Sequence, residues 1–283
     1  MRGDSSVIFS GDQLDRYSRH FVLREIGVSG QKKLLASKVL VIGAGALGSA
    51  SLMYLAASGV GTIGVADYDC VELSNLQRQI IHRTENIGKR KTDSALMMMK
   101  EINPDISVNL HPAQVSTDNI EKLIRPYDFI IDGTDRFETK FLINDACVLS
   151  KKPYSHAGAV RFGGQTMTYI PNSGPCLRCL LSNVPPHDQN VYCSEAGVFG
   201  AVTGIIGSVQ AAEAVKYLLD IGELLSGRIL ALDALSMDIR IVRMEKSDPH
   251  CRVCGEAPDI LSVTDNREDY EIHGCAISGG ECK

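Results

Sequence analysis

Residues suited to binding a nucleotide phosphate follow the first strongly apolar run of the chain. The run 39–42 leads directly into Gly43, Gly45 and Gly48, which have the spacing G-x-G-x-x-G. Glycines at this spacing let a strand turn into a helix whose first amides and positive dipole end face an anion. The motif therefore predicts a nucleotide site, and it does not specify which nucleotide binds there.

Acidic side chains are expected at the ends of two later strands, beside the glycines. Asp67 lies where a carboxylate holds a pair of ribose hydroxyls, with a helix-cap or loop role as the alternative. Asp69 follows two residues later, and an ordinary loop aspartate is its alternative. Asp132 and Asp135 follow an apolar strand, where a carboxylate can meet a magnesium ion that bridges phosphates. For Asp135, capping of the next helix is the competing interpretation.

Cationic and amide side chains lie between these acidic groups in the chain. Asn75, Arg78 and Gln79 fall within one short segment, and the step of three places Asn75 and Arg78 on one helical face. Arg78 and Lys91 are suited to neutralising phosphate oxygens as charge develops on them. The alternatives are an exposed helix for the segment and a solvated helix start for Lys91.

Four of the nine cysteines form two C-x-x-C pairs. Cys176 and Cys179 make the first pair, and Cys251 and Cys254 make the second. Four thiolates are the number that a closed, tetrahedral structural zinc site requires, and such a site would tie the C-terminal segment to the middle of the chain. The alternative is two unrelated buried or redox-active pairs. Because the first ten residues lack a secretory signal pattern, we expect metal or thiol chemistry rather than a disulfide framework.

Alternating apolar strands and amphipathic helices predict the architecture that positions these groups. This order is typical of an α/β fold with a doubly wound, mostly parallel, Rossmann-like sheet, in which ligands bind at the carboxyl ends of the strands. We expect N-terminal helices, one domain over 1–258 and a polar tail over 259–283 whose order is left open. The predicted strands span 38–42, 61–66, 106–111, 128–131, 153–157, 160–170 and 228–233, and the predicted helices span 12–25, 29–36, 46–58, 89–102, 117–124, 136–149 and 197–219.

Composition narrows the class of protein. The chain of 283 residues is 44% hydrophobic and 22% charged, enough for a substantial core, and its net charge is -5. Scattered basic residues argue against a nucleic-acid partner, and a cytoplasmic location is expected. The uncharged stretch 196–212 predicts a buried helix rather than a membrane span. Its glycines, which suggest close packing against a second backbone or a subunit interface, are Gly197, Gly200, Gly204 and Gly207.

Taken in chain order, these motifs resemble the MoeB/ThiF/HesA family of adenylyltransferases, which are relatives of ubiquitin-activating enzymes. The similarity covers about residues 12–256 and depends on the ordered set rather than on any one motif. The motifs are Gly43-x-Gly45-x-x-Gly48, Asp67-x-Asp69, Ser74-Asn75-Leu76-x-Arg78-Gln79, Gly88-x-x-Lys91, Asp132-Gly133-Thr134-Asp135 and the two cysteine pairs.

The resemblance implies a reaction and roles for these residues. The reaction is adenylation, by MgATP, of the C-terminal glycine of a small ubiquitin-like sulfur-carrier protein that ends in Gly-Gly, with release of pyrophosphate. Asp67 would hold the ribose and Asp135 the magnesium ion, while the phosphates would be held by Asn75, Arg78 and Lys91.

Two further residues acquire roles only through the resemblance. Arg19 matches an arginine that reaches the γ-phosphate from the other subunit of a homodimer, with an exposed helical arginine as the alternative. Cys193 matches a cysteine that accepts the acyl group or joins a persulfide relay, with no obligatory role as the alternative. Some relatives continue after the second cysteine pair into a rhodanese domain that delivers sulfur, whereas this sequence has about 28 residues there. We therefore expect a separate cysteine desulfurase or rhodanese to deliver sulfur, if the reaction needs it.

Three classes of function stay open. Carrier-protein adenylation explains all the motifs, whereas an NAD-dependent oxidoreductase would leave Arg78, Lys91, Asp135 and both cysteine pairs unexplained. A noncatalytic scaffold that binds nucleotide or carrier is the third class. The sequence does not name the carrier among those used for thiamin, molybdopterin, tRNA thiolation and cysteine.

Overall fold

Strand β1 (Lys38–Ile42) contains the apolar run and lies inside the sheet, with four of its five residues buried. The computed structural model describes residues 8–185, 196–244, 247–270 and 282. Eight strands within these residues form one sheet in the order β3-β2-β1-β4-β5-β6-β7-β8. The others are β2 (Thr62–Ala66), β3 (Ser107–His111), β4 (Phe129–Asp132), β5 (Tyr154–Val160), β6 (Gly163–Tyr169), β7 (Arg228–Asp233) and β8 (Asp238–Arg243).

The sheet has a parallel half and an antiparallel half. Strands β3, β2, β1, β4 and β5 run parallel, and β6, β7 and β8 continue from β5 as antiparallel neighbours. Ile42 lies opposite Ala66 on one side and Asp132 on the other. The carboxyl ends of β1, β2 and β4 therefore meet at one edge, which confirms the mostly parallel sheet and its Rossmann-like arrangement.

Helices cover both faces of the sheet, as a doubly wound fold requires. On one face, Leu52 of α4 and Met99 of α5 pack with Val41 of β1. On the other, Phe141 of α7 packs with Leu40. The helices are α1 (Gly11–Arg16), α2 (Ser18–Phe21), α3 (Gly27–Ala36), α4 (Ala46–Ser58), α5 (Lys91–Ile102), α6 (Ile120–Ile124), α7 (Phe137–Leu149), α8 (Leu177–Leu180) and α9 (Gly200–Leu219), with 3-10 turns at Leu73–Asn75, Thr84–Asn86 and Arg267–Tyr270.

Two elements differ from the sequence prediction. One continuous helix over 12–25 is wrong, because α1 ends at Arg16 and α2 ends at Phe21. The buried Tyr17 lies between them and accepts a hydrogen bond from Asn103. Strand β8 was not predicted, although Ile239 and Ile241 alternate with charged residues, and the structure leaves all of its residues exposed.

The long apolar stretch folds as helix α9, which confirms a helix in this region. Of the four glycines expected to allow close packing, Gly207 does so within the chain, because a Cβ there would lie 2.3 Å from the Leu47 carbonyl oxygen of α4. Gly200 likewise packs against the backbone of Gln77. Gly204 has open space around it. Among the helices of the described segments, none combines the length and hydropathy needed to cross a bilayer.

The C-terminal segment packs further along the chain than the predicted boundary at 258. Ile260, Val263 and Tyr270 are buried against the α7 face of the sheet. Cys282 forms a disulfide with Cys70, in the loop that follows β2. This bond was not predicted, because the sequence was interpreted as favouring metal or thiol chemistry over a disulfide framework. Residues 271–281 of the predicted tail lie outside the described residues.

Candidate functional site

Two glycine turns meet where β1 and β4 end. Gly43 has φ +95°, a conformation that favours glycine, and a Cβ on it would lie 2.8 Å from the Gly133 carbonyl oxygen. A Cβ on Gly48 would lie 1.8 Å from the Gly43 carbonyl oxygen, so only glycine lets α4 start this close to the turn. The turns border a cavity of about 590 Å³ at the carboxyl edge of the parallel strands.

The cavity brings together most of the residues that the sequence singled out. Gly48 supports the turn from outside the lining, and Asn75 is buried while its Oδ1 accepts the Glu72 amide. The predicted residues that line the cavity are Gly43, Gly45, Asp67, Asp69, Arg78, Gln79, Lys91 and Asp135.

Asp67 organises the backbone on both sides of the cavity. One carboxylate oxygen accepts the Ala44 amide at 2.8 Å, and the other accepts the Asp69 amide at 2.9 Å. Burial raises the pKa of the Asp67 carboxyl, while the nearby Lys91 charge and the two amides oppose that rise. Asp67 thus joins the glycine turn to the loop after β2, and it faces the cavity.

Lys91 supplies a buried positive charge at the start of α5. Its ammonium lies 2.7 Å from the carboxylate of Asp69, whose side chain is about half exposed. Burial by itself would lower the Lys91 pKa, but the charges of Asp67 and Asp69 raise it above the ordinary value. The side chain is therefore cationic at neutral pH, where an anionic ligand in the cavity can contact it.

Gln79 has an unused hydrogen-bond acceptor inside the cavity. The residue is 5% exposed, and its Oε1 has no hydrogen-bond partner among the described residues. A buried amide oxygen without a donor is costly, so this atom fits a ligand that donates to it. The neighbouring Arg78 donates to the Ser74 carbonyl oxygen at 3.0 Å while lining the same cavity.

Asp132 and Asp135 have different environments at the end of β4. The buried Asp132 accepts hydrogen bonds from Lys140, from His156 and from the amide and hydroxyl of Thr134. Burial would raise the Asp132 pKa, but Lys140 and His156 hold it well below its ordinary value. Asp135 is exposed to the cavity and makes no cap, because the N-cap residue of α7 is Arg136 and no side chain caps that helix. Asp135 is thus the carboxylate available to a cation.

Several lining residues were missed by the sequence analysis. Tyr68 and Arg136 adjoin predicted residues, and that adjacency was the only available signal for them. Lys140 lies within an apolar helical pattern, and its partner Asp132 is identified only by tertiary structure. His156, which contacts Asp132 without lining the cavity, also lies apart from every motif, on β5.

The cavity continues over the antiparallel half of the sheet between small residues. Gly158 and Ala159 of β5 face this part of the cavity, as do Gly163 and Gly164 of β6. A Cβ built on Gly158 would meet nothing within 4 Å. This part of the cavity is lined by small residues, and it is open beside Gly158. We call residues 158, 159, 163 and 164 the small-residue path.

The four cysteines of the two C-x-x-C pairs converge, as predicted. Their sulfur atoms all lie within 4.8 Å of one another. Cys176 Sγ is 3.6 Å from Cys251 Sγ, and Cys179 Sγ is 3.4 Å from Cys254 Sγ. A tetrahedron with zinc–sulfur bonds of about 2.3 Å has edges of about 3.8 Å, so the set fits a structural zinc ion.

Buried polar contacts support the cysteine cluster from α7. Arg178, inside the first pair, donates to both carboxylate oxygens of Asp145 and lies 4.9 Å from the centroid of the Phe141 ring. Tyr270 also donates to Asp145, at 2.7 Å. These contacts attach the C-terminal segment and the first cysteine pair to the same helix.

Two further predicted site residues are Arg19 and Cys193. Arg19 lies exposed on α2 and does not line the cavity, which agrees with the exposed helical alternative for one subunit by itself. Cys193 lies outside the described residues. The roles of both stay predictions.

Comparisons with known proteins agree with this geometry. Residues 17–253 match the ThiF family. The chain is 42% identical to "Adenylyltransferase and sulfurtransferase MOCS3" of Anopheles gambiae over 256 residues, which are 90% of this chain and 58% of that protein. It is also 42% identical to "SAMP-activating enzyme E1" of Haloferax volcanii over 267 residues, 94% of this chain and 96% of that protein.

A solved structure shares the fold. The crystal structure of E. coli MccB superimposes with a TM-score of 0.76 at 25% identity, covering 88% of this chain and 75% of that one. The MccB structure with ATP gives a TM-score of 0.72 at 26% identity, covering 85% of this chain and 74% of that one. The chain spans 58% of the length of the MOCS3 relative, so that whole protein's activity is not transferred by similarity alone.

Proposed function

The chain belongs to the ThiF family, and from that membership we propose that it uses MgATP to adenylate the C-terminal glycine of a small ubiquitin-like sulfur-carrier protein. The observation that supports this most directly is the cavity itself. One end has glycine turns, an unused acceptor on Gln79, a buried cation and the exposed Asp135. The other end is the small-residue path, which suits a slender peptide ending in Gly-Gly.

The reaction joins the two ends of the cavity. A carboxylate oxygen of the carrier attacks the α-phosphorus of ATP, a new oxygen–phosphorus bond forms, and the bond between the α-phosphorus and its bridging oxygen breaks to release pyrophosphate. No general base is required, since a C-terminal carboxylate is already ionised at neutral pH. The product is an acyl-adenylate, which a sulfur nucleophile can attack because AMP is a good leaving group.

The chain's own residues position the reactants and neutralise charge. The amides of the glycine turn face the phosphates, and Lys91 and Arg78 neutralise the oxygens that gain charge as pyrophosphate leaves. Asp67 would hold the ribose. Asp135 would hold a magnesium ion, which neutralises phosphate charge when bound. Asn75 would act through the turn that carries Arg78, since it does not line the cavity.

The cysteine cluster would hold a structural zinc ion. The donor set is four thiolates, and four protein ligands close a tetrahedral site to water and substrate. The ion would therefore stabilise the joint between the two cysteine pairs and take no part in the reaction.

The partners follow from the family and from the names of the relatives. We propose a homodimer in which Arg19 reaches the partner's nucleotide, and a separate cysteine desulfurase or rhodanese as sulfur donor. The relatives' names combine adenylyl transfer with sulfur transfer, which favours a sulfur carrier over other acyl substrates. Cys193 as an acyl or persulfide acceptor and the cytoplasmic location stay predictions.

The first test is ATP–pyrophosphate exchange with the purified chain and each candidate carrier ending in Gly-Gly. The same carriers lacking the last glycine are the matched controls. We expect exchange that requires one intact carrier, which would also identify the pathway. ATP binding without exchange with any carrier would contradict the proposal and favour the scaffold class.

A variant of the small-residue path separates carrier entry from nucleotide binding. We expect Gly158→Val to abolish carrier-dependent exchange while ATP binding is retained, because the added side chain enters open cavity space. Gly11→Val is the control, since Gly11 of α1 also has open space around it and lies outside the cavity. Unchanged exchange in Gly158→Val would place the carrier tail elsewhere.

A further inference from the structure

His82 touches the backbone of the phosphate-binding turn from a buried position. It is 5% exposed, and its Nε2 lies 2.9 Å from the Ala44 carbonyl oxygen. Its Nδ1 lies 3.0 Å from Ser94 Oγ on α5. Neither the glycine motif nor the family comparison draws attention to this residue.

The hydrogen-bond partners determine which ring nitrogen carries the proton. Asn86 Nδ2 donates to Ser94 Oγ at 3.1 Å, which leaves the hydroxyl proton of Ser94 free to be donated to His82 Nδ1. A ring with Nδ1 as acceptor carries its proton on Nε2, which therefore donates to the Ala44 carbonyl. Burial lowers the pKa of His82 to about 4, so the ring is neutral at physiological pH, as this arrangement requires.

Ala44 is consequently held at both of its backbone polar atoms. Its amide donates to Asp67 at 2.8 Å, and its carbonyl accepts from His82. Gly43 and Gly45, on either side, lack side chains and are the residues of the turn that line the cavity. Glycine peptides rotate easily, so an anchored Ala44 limits the directions in which the neighbouring amides can point.

We propose that His82 is a positioning residue that holds the glycine turn in its phosphate-binding conformation, through Ala44 and with Ser94 and Asn86 setting its proton. The inference depends on the nucleotide-binding part of the proposed function. It does not depend on the carrier or on the adenylation step.

Calorimetric titration of the full chain with MgATP and, separately, with adenosine tests the inference. In His82→Leu, we expect MgATP to bind about 10-fold more weakly, because one hydrogen bond to the turn is lost. Adenosine affinity should be unchanged, since adenosine has no phosphate. His82→Gln can donate to Ala44 from its amide, and we expect its MgATP affinity to lie within about 3-fold of wild type.

Two further variants serve as a control and as a replacement for His82→Leu. His111→Leu alters a partly buried histidine that contacts Tyr127 and lies outside the cavity, and it should leave MgATP affinity unchanged. If His82→Leu does not fold, Ser94→Ala replaces it, with an expected loss of about 3-fold because the ring proton is no longer directed to Nε2. Unchanged MgATP affinity, equal weakening of adenosine, or failure of His82→Gln to restore binding would overturn the inference.

The two proposals fail in different ways. If the wild-type chain binds MgATP but exchanges no pyrophosphate with any carrier, the proposed reaction is wrong. The MgATP affinities of the His82 variants then still test the inference. A His82→Leu variant that binds MgATP with wild-type affinity contradicts the inference alone.

Discussion

Helix α7 contributes to two buried charge clusters, and the clusters differ in what lies beside them. Near its start, Lys140 contacts Asp132 at 3.0 Å at the end of β4. In its second half, Asp145 contacts Arg178 at 2.7 Å. The first pair adjoins a cavity that contains the exposed Asp135 and the unused acceptor of Gln79. The second pair is enclosed by protein, with both side chains fully buried.

The two clusters on helix α7 therefore have different roles. The enclosed cluster stabilises the fold, and the other lies beside the candidate ligand site. Around Asp145, the polar atoms of Arg178 and Tyr270 find partners in the chain, so the cluster fastens segments together. Beside Asp132, the cluster orders Thr134 and leaves the next acidic residue, Asp135, facing open space. Changes at the enclosed cluster should alter stability, whereas changes at the cavity should alter binding and turnover.

The largest effect is expected at the cysteine cluster. Cys254→Ser should remove zinc and lower the free energy of unfolding by about 5 kcal/mol or more, because a metal that joins distant segments is lost. Zinc content by mass spectrometry and thermal unfolding measure this. Cys147→Ser, at a buried cysteine outside the cluster, is the control and should retain the metal. A Cys254→Ser chain with full zinc content would contradict the assignment.

Breaking the enclosed ion pair is the next largest change. Arg178→Met should destabilise the chain by about 3–5 kcal/mol, because it leaves the Asp145 charge buried without its partner. Urea unfolding measures the loss, and MgATP affinity should be unchanged. Arg240→Met is the control, since Arg240 pairs with Asp238 at the surface and its replacement should cost less than about 1 kcal/mol. Wild-type stability in Arg178→Met would remove the contrast between the two clusters.

At the cavity, a substitution that removes a charge should affect turnover more than stability. Lys91→Met should slow pyrophosphate exchange by about 10²–10³-fold, as expected for loss of one group that neutralises developing charge. Unfolding should change less than in Arg178→Met, because Asp69 remains about half exposed and the buried Asp67 keeps its two backbone amide donors. Lys100→Met, at the far end of α5, should exchange normally. A loss of stability equal to that of Arg178→Met would mean that Lys91 is also architectural.

The smallest expected effect concerns pH. The unfolded His82 side chain takes up a proton near pH 6.5, whereas in the folded chain burial lowers its pKa to about 4. Between these values the unfolded state binds more protons, so stability falls as pH drops. From pH 7.5 to pH 5, His82 should account for about 2 kcal/mol of lost stability. Urea titrations of wild type and His82→Gln measure it as the difference in their pH dependence, and equal dependence would contradict it.

Sequence reasoning predicted the parts of the molecule that depend on local pattern. The strand 38–42 and helix 46–58 were placed correctly, since an apolar run, glycines and a terminating Gly59 are all local signals. The convergence of the cysteine pairs was predicted because four thiolates in two C-x-x-C pairs are the donor set of a structural zinc site. Asp67 and Lys91 were placed in one crevice because the carboxyl ends of parallel strands share an edge.

The rest of the site depended on contacts between distant segments. Sequence spacing did not distinguish Asp132 from Asp135, since only the fold brings Lys140 and His156 to the first of them. The small-residue path combines glycines of two antiparallel strands, and the register of those strands determines that they share a cavity. In the sequence these glycines do not indicate a binding site. They indicate one only when the pairing of β5 with β6 is known.

The position of helix α9 has a consequence for how the protein is made. The face of the parallel strands that carries Val41 and Ile131 is covered in part by Ala211 and Ala214 of α9, which is synthesised long after those strands. Until that helix leaves the ribosome, the nascent chain presents the glycine turn beside an apolar sheet face that α4 and α5 cover only in part. We expect this interval of synthesis to be the one in which a chaperone that recognises apolar surface is needed.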